Sequence, residues 1–582
     1  MKRLALEELL QITLYYFFIV RIEGIGSFVE EQIIGITVDG ACYQDALFLS
    51  LAAGASASGE VSAVETASNG YYTEHIGVVD YQLPLFDGET EFSIFWNHME
   101  AGGGAVAPGK EDIPFWQTLQ EQLGITLSFV QPSSSTVAEQ YSLMIASGDW
   151  TDLIYEKGCS TSGTAAYTGG YDMAIDDDVY LELTDLIPEY APNYYAILME
   201  DENLLRDVST DTGKLYSIYM IYDEPQRVTA GPIINQDVLD TTGLDAATST
   251  EDWLELLAAL KSNGAEYPIA AGTTGDISGG YFTSAFGTTA SHAFKLNLAT
   301  DELVYDGTSQ ELRDYIEYFV QLLDAGYVSP DFISLRDDAE LISSGESVLF
   351  GSMNSAIKNW SVMYDITLNA VPYAYVDGED SLKISNYELA NQRVTALQDI
   401  VVTTSCKEPE KALIFLDWFY CTEGASASTF GFHEGESYEI VDGVKQWLPI
   451  MDTRDENQIK VEWYYTIDEG IGIYVVNRKY PLFSDEVKIA KEMWVSSANV
   501  DNASFSTLPP LTLTADEADE VAQVDSDIST YVETEIARFL TGQNPLTDES
   551  WNEYVETVEN IGIDELQAVY EAAYARYKIR IS

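Results

Sequence analysis

The chain has 582 residues, 46% of them hydrophobic. That is enough for two or more packed cores and excludes wholesale disorder. Its 96 acidic residues face 28 basic ones, a formal charge of −68; a field of that sign repels nucleic acid and anionic lipid, so DNA, RNA and membrane-surface partners are excluded, and surface solvation is the plain use of the charge.

Met1-Lys2-Arg3 starts like an export signal, but Glu7 and Glu8 interrupt it. The apolar run from Leu9 to Val20 is shorter than the ~20 residues a bilayer span needs. A second run, Ala46-Leu-Phe-Leu-Ser-Leu-Ala-Ala-Gly-Ala55, has the shape of the end of an export signal. Ala55 stands where a lipoprotein box needs cysteine, so lipidation there is ruled out. Asp39 disqualifies Cys42. Residues 1–55 are therefore expected to be an aberrant or export-signal-like terminus, and 56–87 a flexible tether.

Glu91 to Trp96 alternates as a strand and ends at Asn97-His98 before Gly102-Gly-Gly104, which fits no phosphate loop. In 113–123, Phe115, Leu119 and Leu123 recur at helical spacing, and Gly124 stops the helix. Ile125 to Val130 reads as a strand. A helix follows, with Tyr141, Leu143, Met144 and Ile145 toward the core. The turn Ser147-Gly148-Asp149-Trp150 then leads to the short buried strand Leu153-Ile154-Tyr155. This βαβαβ order is the unit of an open parallel sheet, whose ligands sit at the strands' carboxyl ends. Further on, Asp211-Thr-Gly213-Lys214 is a turn. Thr250 to Leu260 reads as a helix with Thr250 as N-cap and Trp253, Leu256, Leu257 and Leu260 inward. Leu312–Leu323 and Ala412–Tyr420 are comparable helices.

Four cysteines are too few for a disulfide scaffold. Cys406 and Cys421, flanking the 409–420 helix, either pair or remain buried thiols. The four scattered histidines and the absence of CxxC argue against zinc. Asp207 to Asp211 loosely follows an EF-hand loop, but Thr212 replaces the required glycine and Ile218 the final glutamate. No nucleophile motif occurs, so neither cofactor, metal nor catalytic residue is expected. Aromatic residues are the stronger resource: 38 Tyr, 22 Phe and 10 Trp offer flat faces to the C–H faces of sugar rings.

Several motifs in order carry a family resemblance. Leu123-Gly-Ile-Thr126 with Met144-Ile-Ala-Ser-Gly-Asp-Trp-Thr-Asp-Leu-Ile-Tyr155, then Pro232-Ile-Ile-Asn235 with Trp253-Leu-Glu-Leu-Leu257, begin the series. Val348-Leu-Phe-Gly-Ser-Met353 with Trp360, Pro409 to Trp418 with Gly424, and Phe539-Leu-Thr-Gly542 to Tyr577 continue it. Together, over roughly 90–580, they resemble extracellular solute-binding proteins of ABC importers (family 1, maltose-binding-protein-like). Within those, the chain looks nearest to the large carbohydrate-binding lipoproteins of Gram-positive bacteria.

The resemblance implies an α/β, two-lobed periplasmic-binding-protein-like fold of type II. Lobe one would comprise 88–230 and 368–422, lobe two 231–367 and 423–582. It implies a monomer outside the cell that closes on an oligosaccharide by hinge motion and delivers it to an ABC permease. Ligand contacts are expected at strand ends facing the cleft: Trp96, Asn97, Asp149, Trp150, Tyr155, Glu156, Tyr222, Asp223, Asn354 and Trp360. Trp96 competes for a core role and Asp149 for a turn cap. A secreted glycoside hydrolase and a non-transporting sugar sensor remain the alternatives.

Overall fold

The structure is a computed structural model. It describes residues 77–581 except 99, 102–104, 107–108, 161–164, 223–229, 272–280, 334–337, 380, 386–392, 395–396, 442, 449–470 and 475–484. The signal-like terminus, the tether up to 76 and Asp223 thus lie outside the described residues.

In β1 (Thr90–Phe95), Phe92 and Ile94 are buried on one face. α1 (Pro114–Leu123) buries Phe115, Trp116, Leu119 and Leu123, and stops at Gly124 with φ 68°, a left-handed C-cap that a side chain would strain. β2 (Ile125–Val130) and β3 (Leu153–Tyr155) pair in parallel with β1 on its two edges, with α2 (Val137–Ser147) between them in sequence. α2 differs from expectation in one residue: Leu143 is 62% exposed. Val137 and Tyr141 set the inward stripe, and at about 100° per residue Leu143 falls on the opposite face. α3 (Gly170–Asp176), β4 (Ser217–Tyr219) and β5 (Ile221–Tyr222) bring the chain to its first crossing.

Beyond it, β6 (Ala230–Asn235) starts a second layer with its own core. α4 (Thr250–Ser262) buries Trp253, Leu256, Leu257 and Leu260 as its spacing requires. Its cap is Ser249 instead of Thr250: Ser249 has extended backbone, and its hydroxyl accepts the Asp252 N–H at 3.0 Å. β7 (Leu349–Met353), followed by α5 (Asn354–Tyr364), and β8 (Leu368–Ala370) flank β6 in an antiparallel sheet ordered β7-β6-β8. β9 (Asp399–Val402) then returns to the first sheet, running antiparallel between β3 and β4 in the order β2-β1-β3-β9-β4. α6 (Pro409–Asp417) covers it. β10 (Ile473–Tyr474) pairs with β5. α7 (Ala515–Leu540), α8 (Asp548–Ile561) and α9 (Ile563–Ile579) close the second core.

Two apolar clusters define the lobes. One includes Phe95, Leu119, Ile154, Ile218 and Val401; the other includes Ile233, Trp253, Phe350, Trp494 and Phe539. They correct two expected boundaries. The second crossing does not come at 368: β8 is zipped to β6, and Val371, Tyr373 and Leu382 lie in the second core, so the crossing falls between Ser385 and Asp399. The third does not come at 422. Ala427 and Ile471 still belong to the first core, while Ala490 and Trp494 belong to the second. It therefore lies between Tyr474 and Asp485.

The tether also ends earlier than expected. The side-chain oxygen of Asn193 accepts the N–H groups of Val78 and Val79 at 2.7 Å each, and the Tyr81 hydroxyl donates to Asp417 at 2.6 Å. Residues 77–87 are thus built into lobe one. Cys159, Cys406 and Cys421 are buried free thiols, so the Cys406–Cys421 pairing does not form.

Candidate functional site

The sheet geometry fixes where a cleft can be. In lobe one, the carboxyl ends of β1, β3 and β4 lie at one edge and carry Trp96–His98, Tyr155–Glu156 and Met220–Tyr222. In lobe two, the Ala230 end of β6 and the Met353 end of β7 are register partners, so both lie next to the first crossing.

The three crossings are laced together at this edge. The Met220 N–H donates to the Gln398 carbonyl at 2.9 Å, Ile221 to Gly472 at 3.0 Å and Tyr222 to Arg393 at 2.8 Å. Arg393 Nε donates back to the Tyr222 carbonyl at 2.9 Å. Short strand pairs of this kind hold the lobes in register while leaving few bonds to resist a hinge movement.

The expected site residues do not all fall in one place. Asn97 and Tyr222 lie half-buried at the cleft edge. Asn354 opens α5 immediately after β7, with its side chain outside the described residues. Trp96, Tyr155 and Glu156 reach the same edge but point into the core. Trp96 is 4% exposed, its ring 4.7 Å from Tyr155 and 5.3 Å from Trp116. Glu156 is fully buried, accepting hydroxyl bonds from Tyr180 at 2.6 Å and Tyr171 at 2.9 Å. These three are corrected from ligand contacts to packing, because a strand end in a covered sheet still has one face toward the core.

Asp149 and Trp150 fall elsewhere. They precede β3 and lie at its amino side, away from the carboxyl edge. Asp149 is exposed, and its N–H donates to Ser147 Oγ at 3.3 Å, a turn contact. Trp360 is also displaced. It lies six residues along α5, about 9 Å from the β7 end, and stacks on Phe350 at 4.9 Å.

The sequence reading passes over Lys110 and Asp399, yet both are placed at this edge. Lys110 is 1% exposed, with Nζ donating to the Asn97 carbonyl at 3.1 Å and lying 5.0 Å from the Trp96 ring centre. Burial lowers its pKa to about 7. Asp399 opens β9 beside Glu156. An acid at the first position of an Asp-Ile-Val-Val strand is the sole sequence signal for it. The Asp207–Asp211 loop is held by protein partners: the Tyr577 hydroxyl donates to Asp207 at 2.6 Å, and Arg576 and Arg580 donate to Asp211 at 2.7 and 2.9 Å.

The description "Bacterial extracellular solute-binding protein" matches residues 96–425, more than half of the chain and parts of both lobes. The chain belongs to this family. Among curated relatives of this solute-binding protein is the fructooligosaccharide ABC transporter substrate-binding protein FusA of Streptococcus pneumoniae serotype 4. It is 21% identical over 491 residues, covering 79% of this chain and 86% of FusA. The polygalacturonan/rhamnogalacturonan-binding protein YtcQ of Bacillus subtilis is 23% identical over 430 residues, covering 70% and 78%. Among solved structures, the alginate-binding protein AlgQ2 superposes with a TM-score of 0.64 at 16% identity, over 84% of this chain and 99% of its own. The shared fold is the two-lobed α/β arrangement described above.

Proposed function

We propose that this protein is the extracellular capture component of an ABC importer for an oligosaccharide, and that it works by hinge closure. One observation carries the reading: two α/β lobes with separate cores are joined through three hydrogen-bonded crossings, within a chain that matches the solute-binding family across both lobes. A solute held between the lobes stabilises the closed form by contacts the open form lacks, and the closed form docks on a permease. The sugar class is supported by relatives that bind fructooligosaccharide, polygalacturonan and alginate. Asn97, Tyr222, Asp223 and Asn354 are the proposed ligand-facing residues. The proposed location is the cell exterior, with the chain acting as a monomer.

The reading requires no chemistry on the solute. Glu156 and Asp399 are a close carboxyl pair with raised proton affinity, as a hydrolase would need, yet both are fully buried where no glycosidic bond reaches. Calorimetry and thermal shift against fructo-, galacturono- and alginate oligosaccharides test the proposal, with each mixture assayed afterwards for cleavage. Saturable binding of intact sugar is the expected result. Cleavage during binding would overturn it.

A further inference from the structure

β3 and β9 run antiparallel with Tyr155 opposite Ile400, and the Glu156 N–H donates to the Asp399 carbonyl at 3.1 Å. Glu156 and Asp399 are therefore cross-strand neighbours, with Cβ atoms about 5 Å apart. Both are 0% exposed. Glu156 uses both oxygens, Oε1 for the Tyr180 hydroxyl and Oε2 for that of Tyr171. The Asp399 carboxyl is enclosed beside the side chains of Ser217 and Glu156. Ionised, the two acids would present acceptor to acceptor in a dry core.

The groups around the pair supply no positive charge. Tyr141 of α2 reaches it through the Tyr180 hydroxyl, and Cys159 approaches from the segment after β3. Tyr171 comes from α3, Tyr216 and Tyr219 from the β4 side, and Tyr194 and Tyr420 from the helical layer behind Asp399. Burial pushes each of these phenols and the thiol above its ordinary pKa, so they stay neutral. No lysine, arginine or histidine among the described residues pairs with either acid.

The pair also lies directly beneath the hinge. Asp399 follows Gln398, whose carbonyl accepts the Met220 N–H between the first and second crossings. Tyr171, Tyr216 and Tyr219 wall a cavity of about 20 Å³ whose far side is Val394 of the second crossing and Leu511 and Arg580 of lobe two. We propose that Glu156 and Asp399 share one proton, and that its loss loosens the second crossing and makes lobe movement and solute retention pH-dependent.

Without that proton, two negative charges repel across β3 and β9 with no cation between them. Glu156 is tied by two tyrosines, whereas Asp399 begins its strand at the crossing, so the Asp399 end is the one that yields. Burial raises both acids, Glu156 to about 7. The folded state therefore holds a proton the unfolded chain has lost. The pair's stabilisation is complete below the unfolded carboxylate range and fades as pH rises toward about 7. The inference rests on the solute-binding reading only for its effect on retention, so the test uses the unliganded full chain.

Infrared difference spectra between about pH 5 and about pH 8 should show a protonated-carboxyl stretch that is absent when Glu156→Gln and Asp399→Asn are combined. The folding equilibrium should weaken by up to about tenfold per pH unit between about 5 and 7, beyond the slope of the combined variant. Small-angle scattering should show the wild type expanding over the same range and Glu156→Gln holding its size; Asp399→Asn serves if Glu156→Gln does not fold. No protonated-carboxyl band, or equal slopes in wild type and the combined variant, would overturn the shared proton. A band with unchanged scattering would overturn the hinge coupling and leave the solute-binding reading intact.

Discussion

Asp211 joins the two lobes, and replacing it with alanine should loosen their docking without damaging either core. Asp211 belongs to lobe one, between Val208 and Leu215 of the first cluster; Arg576 and Arg580 come from α9 and the turn after it, in lobe two. Arg576 Nε lies 2.7 Å from Oδ2 and Arg580 Nε 2.9 Å from Oδ1. The Asp211 and Arg580 side chains are only 12% and 3% exposed. Arg576 keeps Glu517 at 2.6 Å in the variant, so it is not stranded. Arg580 keeps only the Thr512 hydroxyl at 3.2 Å and the Arg206 carbonyl at 3.4 Å. Losing charge-assisted bonds worth ~1.5–3 kcal/mol each, with one arginine left enclosed, gives a cost of about 3 kcal/mol. At roughly 2–4 °C per kcal/mol, the melting temperature falls by roughly 6–12 °C. Scanning calorimetry of the full chain should also show the single transition broadening or dividing, because the loss falls on lobe docking. An unchanged midpoint with one sharp transition would refute the assignment of this network as an interlobe clamp.

Other perturbations read different layers. Lys295→Met leaves the buried Asp306, which takes Lys295 Nζ at 2.8 Å, with donors from Thr288, Thr289 and Ser309 but no cation, and should cost about 3–5 kcal/mol in urea unfolding. Gly231→Ala would set a Cβ within 2.0 Å of the Trp494 ring, and should destabilise lobe two by about 1–3 kcal/mol in the same assay. Trp360→Ala should lower stability by about 3 kcal/mol yet leave sugar affinity within about twofold, whereas Asn97→Ala should weaken titrated affinity with little change in melting. Equal affinity losses in both would return Trp360 to the site.

Periodicity determined the elements of this protein. Phe115, Leu119 and Leu123 before Gly124 specify α1 and its end, and the spacing of Trp253, Leu256, Leu257 and Leu260 specifies α4, because 3.6-residue repetition and a left-handed glycine are local properties. The order of such elements, with the motifs that resemble solute-binding proteins, also carried the two-lobed fold. Tertiary structure decided the rest. Whether β8 ends lobe two or begins lobe one depends on its pairing with β6, whose register partners lie 133 to 137 residues away and which no local pattern records. Glu156 and Trp96 are polar or aromatic residues at a strand end, the pattern of a ligand contact. Their direction was set by Tyr171, Tyr180 and Trp116, which fill the space they would otherwise share with a solute. A chain with 96 acids cannot mark in sequence which two will be enclosed together, because burial is a property of what surrounds a side chain and not of the side chain itself.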